Sequence, residues 1–258
     1  MKIILIGANG FVGSAFHRLL ASGAHELIPV TRANYAAHVG TPADLVIEAA
    51  CNSKKFFAEE KPFEEFDTSV GHRLRTLRDF PAAFHLHVSS VDVYADLTSP
   101  STTRESTVIP AEQTSYYGLH KWMAEELVRK YAKGWLIVRL AGMVGPGLRK
   151  NPVYDILHGL PLRIHPDSRY QFLSTEDAAR LSWTLFEKGA AGEVVNICGQ
   201  GTVTPRRVAE MAGRTMDLSA LPPDAKPRIV DVSVDKLLGI LPVPRSVDTV
   251  AEFIARKI

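Results

Sequence analysis

Short apolar runs alternate with amphipathic stretches over the first half of the chain. The first apolar run, residues 3–6, ends at Gly7, and a helical pattern with Phe16, Leu19 and Leu20 on one stripe follows. This order predicts a strand, a glycine turn and a helix. Residues 44–49 are almost continuously apolar, which is typical of a parallel strand that is buried on both faces.

Later segments repeat the alternation of strand and helix. The spacing predicts a helix over residues 64–80, a strand over 84–90, a helix over 113–131 and a strand over 135–140. A further strand over residues 26–31 leaves only a trimmed connection before residue 44. The chain is therefore predicted to be an α/β protein with a Rossmann-like, doubly wound parallel sheet.

The regular alternation loosens after Gly147, where prolines recur. Residues 1–147 are therefore interpreted as an NAD(P)-binding domain, and residues 148–258 as mainly a smaller, C-terminal substrate-binding lobe. The apolar run at 193–197 is interpreted as a late strand that returns to the main sheet, so the first domain is expected to include residues 190–200 as well.

Composition narrows the range of partners. The 258 residues include 30 basic and 28 acidic ones, a formal charge of +2, so no strong field favours nucleic acid or an anionic membrane. Cys51 and Cys198 show no paired metal-ligand spacing, which fits a reducing compartment and predicts no metal site. The opening apolar run is too short for a signal peptide or a membrane span, and a cytoplasmic location is expected.

The glycine turn indicates a dinucleotide. Gly7 allows the tight turn after the strand, Gly10 lets a pyrophosphate approach, and Gly13 lets the helix pack closely on the sheet. The amino terminus of the helix then faces the phosphates with free N–H groups and the positive end of its dipole. The predicted cofactor-binding residues are Gly7, Asn9, Gly10, Phe11, Val12, Gly13, Thr31, Arg32, Ala49, Ala50 and Lys121.

The end of the second strand bears on the choice between NAD and NADP. NAD sites commonly place an acid there for the ribose hydroxyls, but Thr31, Arg32, Ala33 and Asn34 supply none. Arg32 is expected to hold the extra phosphate of NADP, although NAD stays possible and a solvated surface arginine is the alternative.

Tyr117 and Lys121 are four residues apart on a predicted helix, so their side chains leave the same face. A free tyrosine has a pKa of about 10, and a nearby ammonium is expected to lower it toward neutrality. A serine at the end of the preceding strand would orient the substrate oxygen. Strand alternation allows either Ser89 or Ser90 to point into the site, but not both.

These motifs resemble the extended short-chain dehydrogenase/reductase family, in particular its nucleotide-sugar epimerases, reductases and dehydratases. The resemblance covers nearly the whole chain and is carried by the glycine turn, Tyr117-x-x-x-Lys121 and segments 44–50, 89–94, 139–147, 172–178 and 193–197. The family counts its catalytic Ser or Thr four residues before the tyrosine that corresponds to Tyr94, which selects Ser90.

The resemblance implies NAD(P) and hydride transfer to or from a sugar carbon. Tyr117 would exchange the hydroxyl proton, Lys121 would also hold the nicotinamide ribose, and Ser90 would polarise the carbonyl. The family also suggests a homodimer formed through the helix at 113–131 and the helix before it.

Several positions depart from the family pattern. Dehydratases usually carry Asp-Glu directly after the catalytic Thr, but Val91-Asp92 stands here, which disfavours dehydration. Tyr170 lies where an arginine often clamps the sugar nucleotide, and Arg169 is a neighbouring substitute. Asp92, Arg149 and Arg169 are therefore the predicted substrate-binding residues.

The sequence favours a 4-ketoreductase or an epimerase that acts on a nucleotide-sugar. The alternative is a non-catalytic NAD(P)-binding sensor or interaction protein that keeps only the Rossmann fold.

Overall fold

The computed structural model describes residues 1–256 and divides the chain into two compact units. The first unit comprises residues 1–95, 108–140 and 179–195. The second comprises residues 96–107, 141–178 and the described chain from residue 196 onward. The second unit thus takes a loop from the first half of the sequence, in addition to most of the C-terminal part.

Six strands form the main sheet in the order β2-β1-β3-β4-β5-β8, and two short strands, β6 and β7, form a separate parallel pair. The pairs β1–β2, β1–β3, β3–β4 and β4–β5 are all parallel. The strands are β1 Lys2–Ile6, β2 Glu26–Val30, β3 Ala43–Glu48, β4 Ala82–Ser90, β5 Gly134–Leu140, β6 Gly142–Val144, β7 Phe172–Ser174 and β8 Glu193–Ile197.

Helices connect successive strands except β5 and β6, which follow each other directly. The helices are α1 Gly13–Ala21, α2 Tyr35–His38, α3 Lys55–Glu60, α4 Pro62–Phe66, α5 His72–Asp79, α6 Tyr116–Tyr131, α7 Pro152–Leu157, α8 Thr175–Glu187, α9 Pro205–Ala212, α10 Asp235–Leu238 and α11 Ser246–Ala255. No helix within residues 1–256 is long and apolar enough to cross a lipid bilayer.

The centre of the main sheet is dry because its strands are apolar on both faces. Ile4 of β1 and Val46 of β3 are fully buried, and Phe80 and Val30 pack against them. β1 pairs with β2 on one side and with β3 on the other, so the strand order reverses between β1 and β3. In open parallel sheets the crevice at the carboxyl ends of such a pair is where ligands bind.

The prediction of a Rossmann-like parallel sheet is confirmed, and two connections show how the chain adapts it. The segment between β2 and β3 holds only the single-turn helix α2, as its length predicts. The helix predicted over residues 64–80 is instead α4 and α5 joined by a π-helical turn, Asp67–Gly71, in which the His72 N–H donates to the Asp67 carbonyl oxygen. Such turns are rare and are often found at functional sites.

Buried ion pairs lie between the main sheet and its helices. Glu125 of α6 is fully buried, and its carboxylate accepts hydrogen bonds from both Arg139 Nε (2.9 Å) and Arg139 Nη2 (2.7 Å). Glu48 of β3 pairs with Arg73 of α5 at 2.8 Å. Burial by itself would raise the pKa of Glu48, but Arg73 and His72 outweigh it, so the pKa lies below its usual value.

The second unit has its own apolar core and a buried glutamine that hydrogen-bonds to two backbone segments. Val153, Phe172 and Val250 are among its buried side chains. The buried amide of Gln171 donates to the carbonyl oxygens of Gly199 (3.1 Å) and Val232 (2.9 Å), and its own oxygen accepts from the Val232 N–H (2.7 Å). These bonds satisfy backbone groups that burial would otherwise leave without partners.

The buried histidines of β4 make the fold sensitive to acid. Burial, assisted by Arg73, lowers the pKa of His85 to about 4 in the folded chain, whereas an unfolded histidine has a pKa near 6.5. Below pH 6.5 the unfolded chain therefore binds a proton that the folded chain does not, and stability is lost as the pH falls toward 4. We expect His85→Gln to reduce the loss of unfolding free energy between pH 7 and pH 4 by about 3 kcal/mol, measured by urea denaturation.

The exposed His158 on the second unit supplies the matched control. His158→Gln should keep the acid dependence of the unmutated chain. Equal pH dependence of the His85→Gln variant and the unmutated chain would show that another group controls acid unfolding.

Candidate active site

The turn after β1 has the geometry of a dinucleotide-binding loop. Gly7 has φ +82°, and a side chain there would come within 2.7 Å of the Ala50 backbone nitrogen at the end of β3. A methyl group at Gly13 would overlap the Gly7 carbonyl oxygen, so α1 can approach the turn only with glycine at this position. Gly10 is exposed and donates its N–H to the Gly7 carbonyl oxygen at 2.8 Å.

The amino terminus of α1 is suited to phosphate. Its N-cap, Val12, makes no side-chain capping bond, and the first turn contains no acidic residue. Of the remaining turn residues, Asn9 is exposed and Phe11 is half-buried. The Ser14 and Ala15 N–H groups already donate to the Gly10 and Val12 carbonyl oxygens, so it is the positive end of the helix dipole, with no acidic residue beside it, that fits the pyrophosphate of NAD(P).

The turn after β2 presents a cation and no carboxylate. The Asn34 side chain accepts from the Thr31 N–H (2.7 Å) and donates to the Pro29 carbonyl oxygen (3.0 Å), which fixes this turn. Arg32 is exposed on it and has no ion-pair partner within residues 1–256. The guanidinium is therefore available to an anionic group of a cofactor.

Ser89 and Ser90 have different partners at the end of β4. Ser89 is buried and donates to Glu125 Oε1 at 2.6 Å, so its hydroxyl is occupied on the α6 side of the sheet. Ser90 donates to Asp92 Oδ2 at 2.9 Å, and it lies close enough to Tyr117 to lower the pKa of the phenol. The geometry thus brings Ser90, and not Ser89, to the tyrosine.

Tyr117 lies in the first turn of α6, whose N-cap Ser115 accepts a hydrogen bond from the Gly118 N–H at 3.1 Å. The Tyr117 hydroxyl donates to the Asn52 carbonyl oxygen at 3.2 Å. Lys121 follows one turn later and is 2% exposed; its Nζ lies 5.0 Å from the centroid of the Tyr117 ring. The three predicted catalytic residues are therefore neighbours.

The protonation of Tyr117 differs from the sequence-based expectation. Its pKa lies well above the usual value, because burial disfavours the phenolate and the charges of Cys51, Asp92 and Glu65 add to this effect, whereas Ser90 acts in the opposite direction. The expectation of a pKa near neutrality is therefore wrong for the chain by itself.

Two residues that the sequence reasoning missed lie beside this group. Lys55, at the start of α3, forms an ion pair with Asp92 Oδ1, so the Asp92 carboxylate connects it to Ser90. The Asn52 carbonyl oxygen is the second missed partner, since it accepts from Tyr117. Backbone acceptors and distant lysines leave no spacing signal in a sequence.

The other predicted substrate contacts, Arg149 and Arg169, lie in the second unit. Both side chains are exposed, and the Arg169 backbone pairs with Arg228 and Val230. Their role in binding substrate stays a prediction. Among residues 1–256 there is no group of three or more His, Cys, Asp or Glu side chains suited to a metal ion.

A doubly wound parallel sheet with a phosphate-binding glycine turn and a Ser–Tyr–Lys group defines a dinucleotide-dependent enzyme of the short-chain dehydrogenase type. The chain belongs to the NAD dependent epimerase/dehydratase family, whose sequence model matches residues 42–198. The predictions of an enzyme, of the extended short-chain family and of an NAD(P) cofactor are thereby confirmed.

Known proteins of this kind resemble the chain over most of its length. It is 23% identical over 261 residues to dTDP-glucose 4,6-dehydratase of Shigella flexneri, covering 77% of this chain and 72% of the relative. The fold matches UDP-glucuronic acid 4-epimerase from Bacillus cereus, solved with UDP-glucuronic acid and NAD, with a TM-score of 0.78 at 19% identity and full coverage of both chains. It also matches dTDP-4-dehydrorhamnose reductase from Bacillus anthracis, solved with NADP, with a TM-score of 0.78 at 14% identity, covering 99% of this chain and 98% of the other.

The close contact between α6 and the loop after β4 requires a glycine at position 118. A methyl group at Gly118 would overlap the Asp92 carbonyl oxygen, which is backbone and cannot rotate away. We expect Gly118→Ala to destabilise the fold by about 1–3 kcal/mol and to separate Tyr117 from Ser90, which urea denaturation and turnover would measure.

Gly239 supplies the comparison, because a methyl group there would meet only ordinary contacts at 3.5 Å and beyond. Gly239→Ala should change the unfolding free energy by less than about 0.5 kcal/mol. Equal stability of the two variants would contradict the close packing at Gly118.

Proposed function

We propose that this protein is an NADP-linked oxidoreductase that reduces a keto carbon of a nucleotide-activated sugar. The observation that carries the proposal is the close grouping of Ser90, Tyr117 and the buried Lys121, in the same unit as the glycine turn. The sugar-nucleotide class is supported by the relatives, which are named for dTDP-linked and UDP-linked sugars.

Each residue has a definite part in carbonyl reduction. The Ser90 hydroxyl is placed to hydrogen-bond the substrate oxygen and to polarise the carbonyl. Bound NADPH supplies the hydride. Tyr117, whose high pKa keeps it protonated, then donates its proton to the oxygen as negative charge develops there. The Lys121 ammonium stabilises the phenolate that is left, which is the charge that burial alone would penalise.

Dehydration has less support from the site. The residue directly after Ser90 is Val91, which is buried and apolar, so it supplies no acid or base. The next residue, Asp92, is engaged by Ser90 and Lys55. An elimination of water needs an acid and a base beside the tyrosine, and only one carboxylate is present at these two positions.

Epimerisation is the second candidate, and it uses the same three residues. The enzyme that epimerises oxidises and reduces one carbon, and so consumes no cofactor overall. The exposed Arg32, with no acid beside it, favours the exchangeable NADP and hence reduction.

We further infer a cytoplasmic homodimer. Cys51 and Cys198 form no disulfide within residues 1–256, which fits a reducing compartment. Leu74 of α5 and Tyr131 of α6 are exposed, which supports association through these helices, as the family resemblance suggests.

Tyr117→Phe tests the proton transfer. It removes one hydroxyl from a buried ring, so we expect turnover to fall by about 10²–10⁴-fold while NADPH binding stays within a fewfold. Turnover of candidate keto sugars linked to dTDP or UDP, followed by NADPH absorbance, is the measurement. A variant that retains full turnover would remove Tyr117 from the mechanism.

Arg32→Ala tests the choice of cofactor. Loss of a charge-assisted contact with the 2′-phosphate should raise KM for NADPH by about tenfold and leave KM for NADH unchanged. Arg207→Ala, at an exposed arginine that pairs with Glu210 on α9, is the control and should change neither constant. A clear preference of the unmutated enzyme for NADH would contradict the assignment.

A further inference from the structure

A chain of buried polar side chains is hydrogen-bonded to Lys121. Its members are Glu65 and Ser69, from the α4–α5 segment, and His120, from α6. Glu65 is fully buried, Ser69 is 4% exposed and His120 is 8% exposed. A carboxylate is almost never buried to this degree unless its oxygens accept hydrogen bonds or form ion pairs.

Every hydrogen bond in the chain is directed toward Glu65. Lys121 Nζ donates to Ser69 Oγ at 3.4 Å, and the Ser69 hydroxyl donates to Glu65 Oε1. The other carboxylate oxygen, Oε2, is bonded to His120 Nδ1. With Nδ1 as the donor, the carboxylate accepts from both sides, and Ser69 is left with its lone pairs toward the ammonium.

The backbone supports this arrangement through the π-helical turn. Ser69 lies inside that turn, Asp67–Gly71, and Glu65 lies in α4 just before it. A π-helical turn is rare, and it persists where its surroundings or the function of the site favour it. Here it coincides with the one hydroxyl that contacts Lys121 among the described residues.

We propose that Glu65 is a positioning residue for Lys121: anchored by His120, it orients Ser69 so that the Ser69 hydroxyl holds the ammonium beside Tyr117. The inference deepens the proposed function and rests on it, since Lys121 matters only if it serves Tyr117 and the nicotinamide ribose.

The charges around the pair agree with this assignment. Glu65 is among the groups that raise the pKa of Tyr117, so its negative charge is felt at the phenol. The other titratable groups that face Tyr117 or Lys121 are Cys51 and Asp92, which act on the phenol, and His87 of β4, which is buried near the ammonium. Glu65 is the carboxylate among these that is connected to Lys121 through a hydroxyl.

The test is a double-mutant cycle read out in two ways. Glu65→Gln, Lys121→Met and the double variant are compared by urea denaturation without any ligand, and by the Kd for NADPH without substrate. We expect Glu65→Gln to weaken NADPH binding by about tenfold in the unmutated background, the loss of roughly one charge-assisted hydrogen bond. It should have almost no further effect once Lys121 is methionine, because it acts through the ammonium.

Glu125→Gln is the matched control. Glu125 is also fully buried and also accepts from a serine, Ser89, but its ion pair is with Arg139. This variant should lose stability and keep the Kd for NADPH within about twofold. Glu65→Gln behaving in the same way would overturn the proposal, because Glu65 would then be structural only.

His120 provides a rescue experiment. His120→Asn keeps an N–H donor near the position of Nδ1 and should retain NADPH binding, whereas His120→Phe should weaken it to the level of Glu65→Gln. Equal NADPH binding by His120→Asn and His120→Phe would overturn the role of His120 as the residue that anchors Glu65.

The two hypotheses fail in different ways. An unmutated chain that binds neither NADPH nor NADH would refute the proposed function. In that case the proposed role of Glu65 is tested by the double-mutant cycle of urea denaturation alone. Additive effects of Glu65→Gln and Lys121→Met on the free energy of unfolding would show that the two residues do not interact, and would refute that role.

Discussion

The approach of α6 to the carboxyl end of β4 is the constraint on which the active site depends. Gly118 lets the helix reach the Asp92 carbonyl oxygen, and this contact places Tyr117 beside Ser90. Without it, the serine and the tyrosine would still be present but would not be neighbours. The helix also carries Lys121 and Glu125, so its placement fixes an ion-pair network and a catalytic group together.

Burial determines which charged groups are stable in this site. A phenol with a raised pKa is a weaker acid than a free tyrosine, but it stays protonated near neutrality and so holds the proton that a developing alkoxide takes up. The same burial makes each charge nearby expensive unless it is bonded. Glu48 with Arg73 and Glu125 with Arg139 satisfy this condition by direct ion pairs. Lys121 satisfies it differently, through a hydroxyl, which leaves the ammonium facing the tyrosine.

Sequence patterns were sufficient for the sheet and for the spacing of Tyr117 and Lys121. The choice of Ser90 over Ser89 needed the family resemblance, and the surroundings of these residues could not be predicted. The first strand, the glycine turn and the four-residue spacing of Tyr117 and Lys121 are local patterns, and local patterns can be predicted. The π turn could not, because Val70, Leu74 and Leu77 have ordinary helical spacing and show no interruption of the apolar stripe. The direction of the Tyr117 pKa depends on desolvation, which spacing does not contain.

His120 shows the limit most clearly. The structure places its ring against Glu65 and Phe66. That environment comes from α4, more than fifty residues earlier in the chain, and from a carboxylate that is itself hidden. Reactive residues can be recognised by their own chemistry, whereas residues that hold them in place are recognised only by their contacts. The distinction explains why the reaction type follows from the sequence while the support for Lys121 follows from the structure alone.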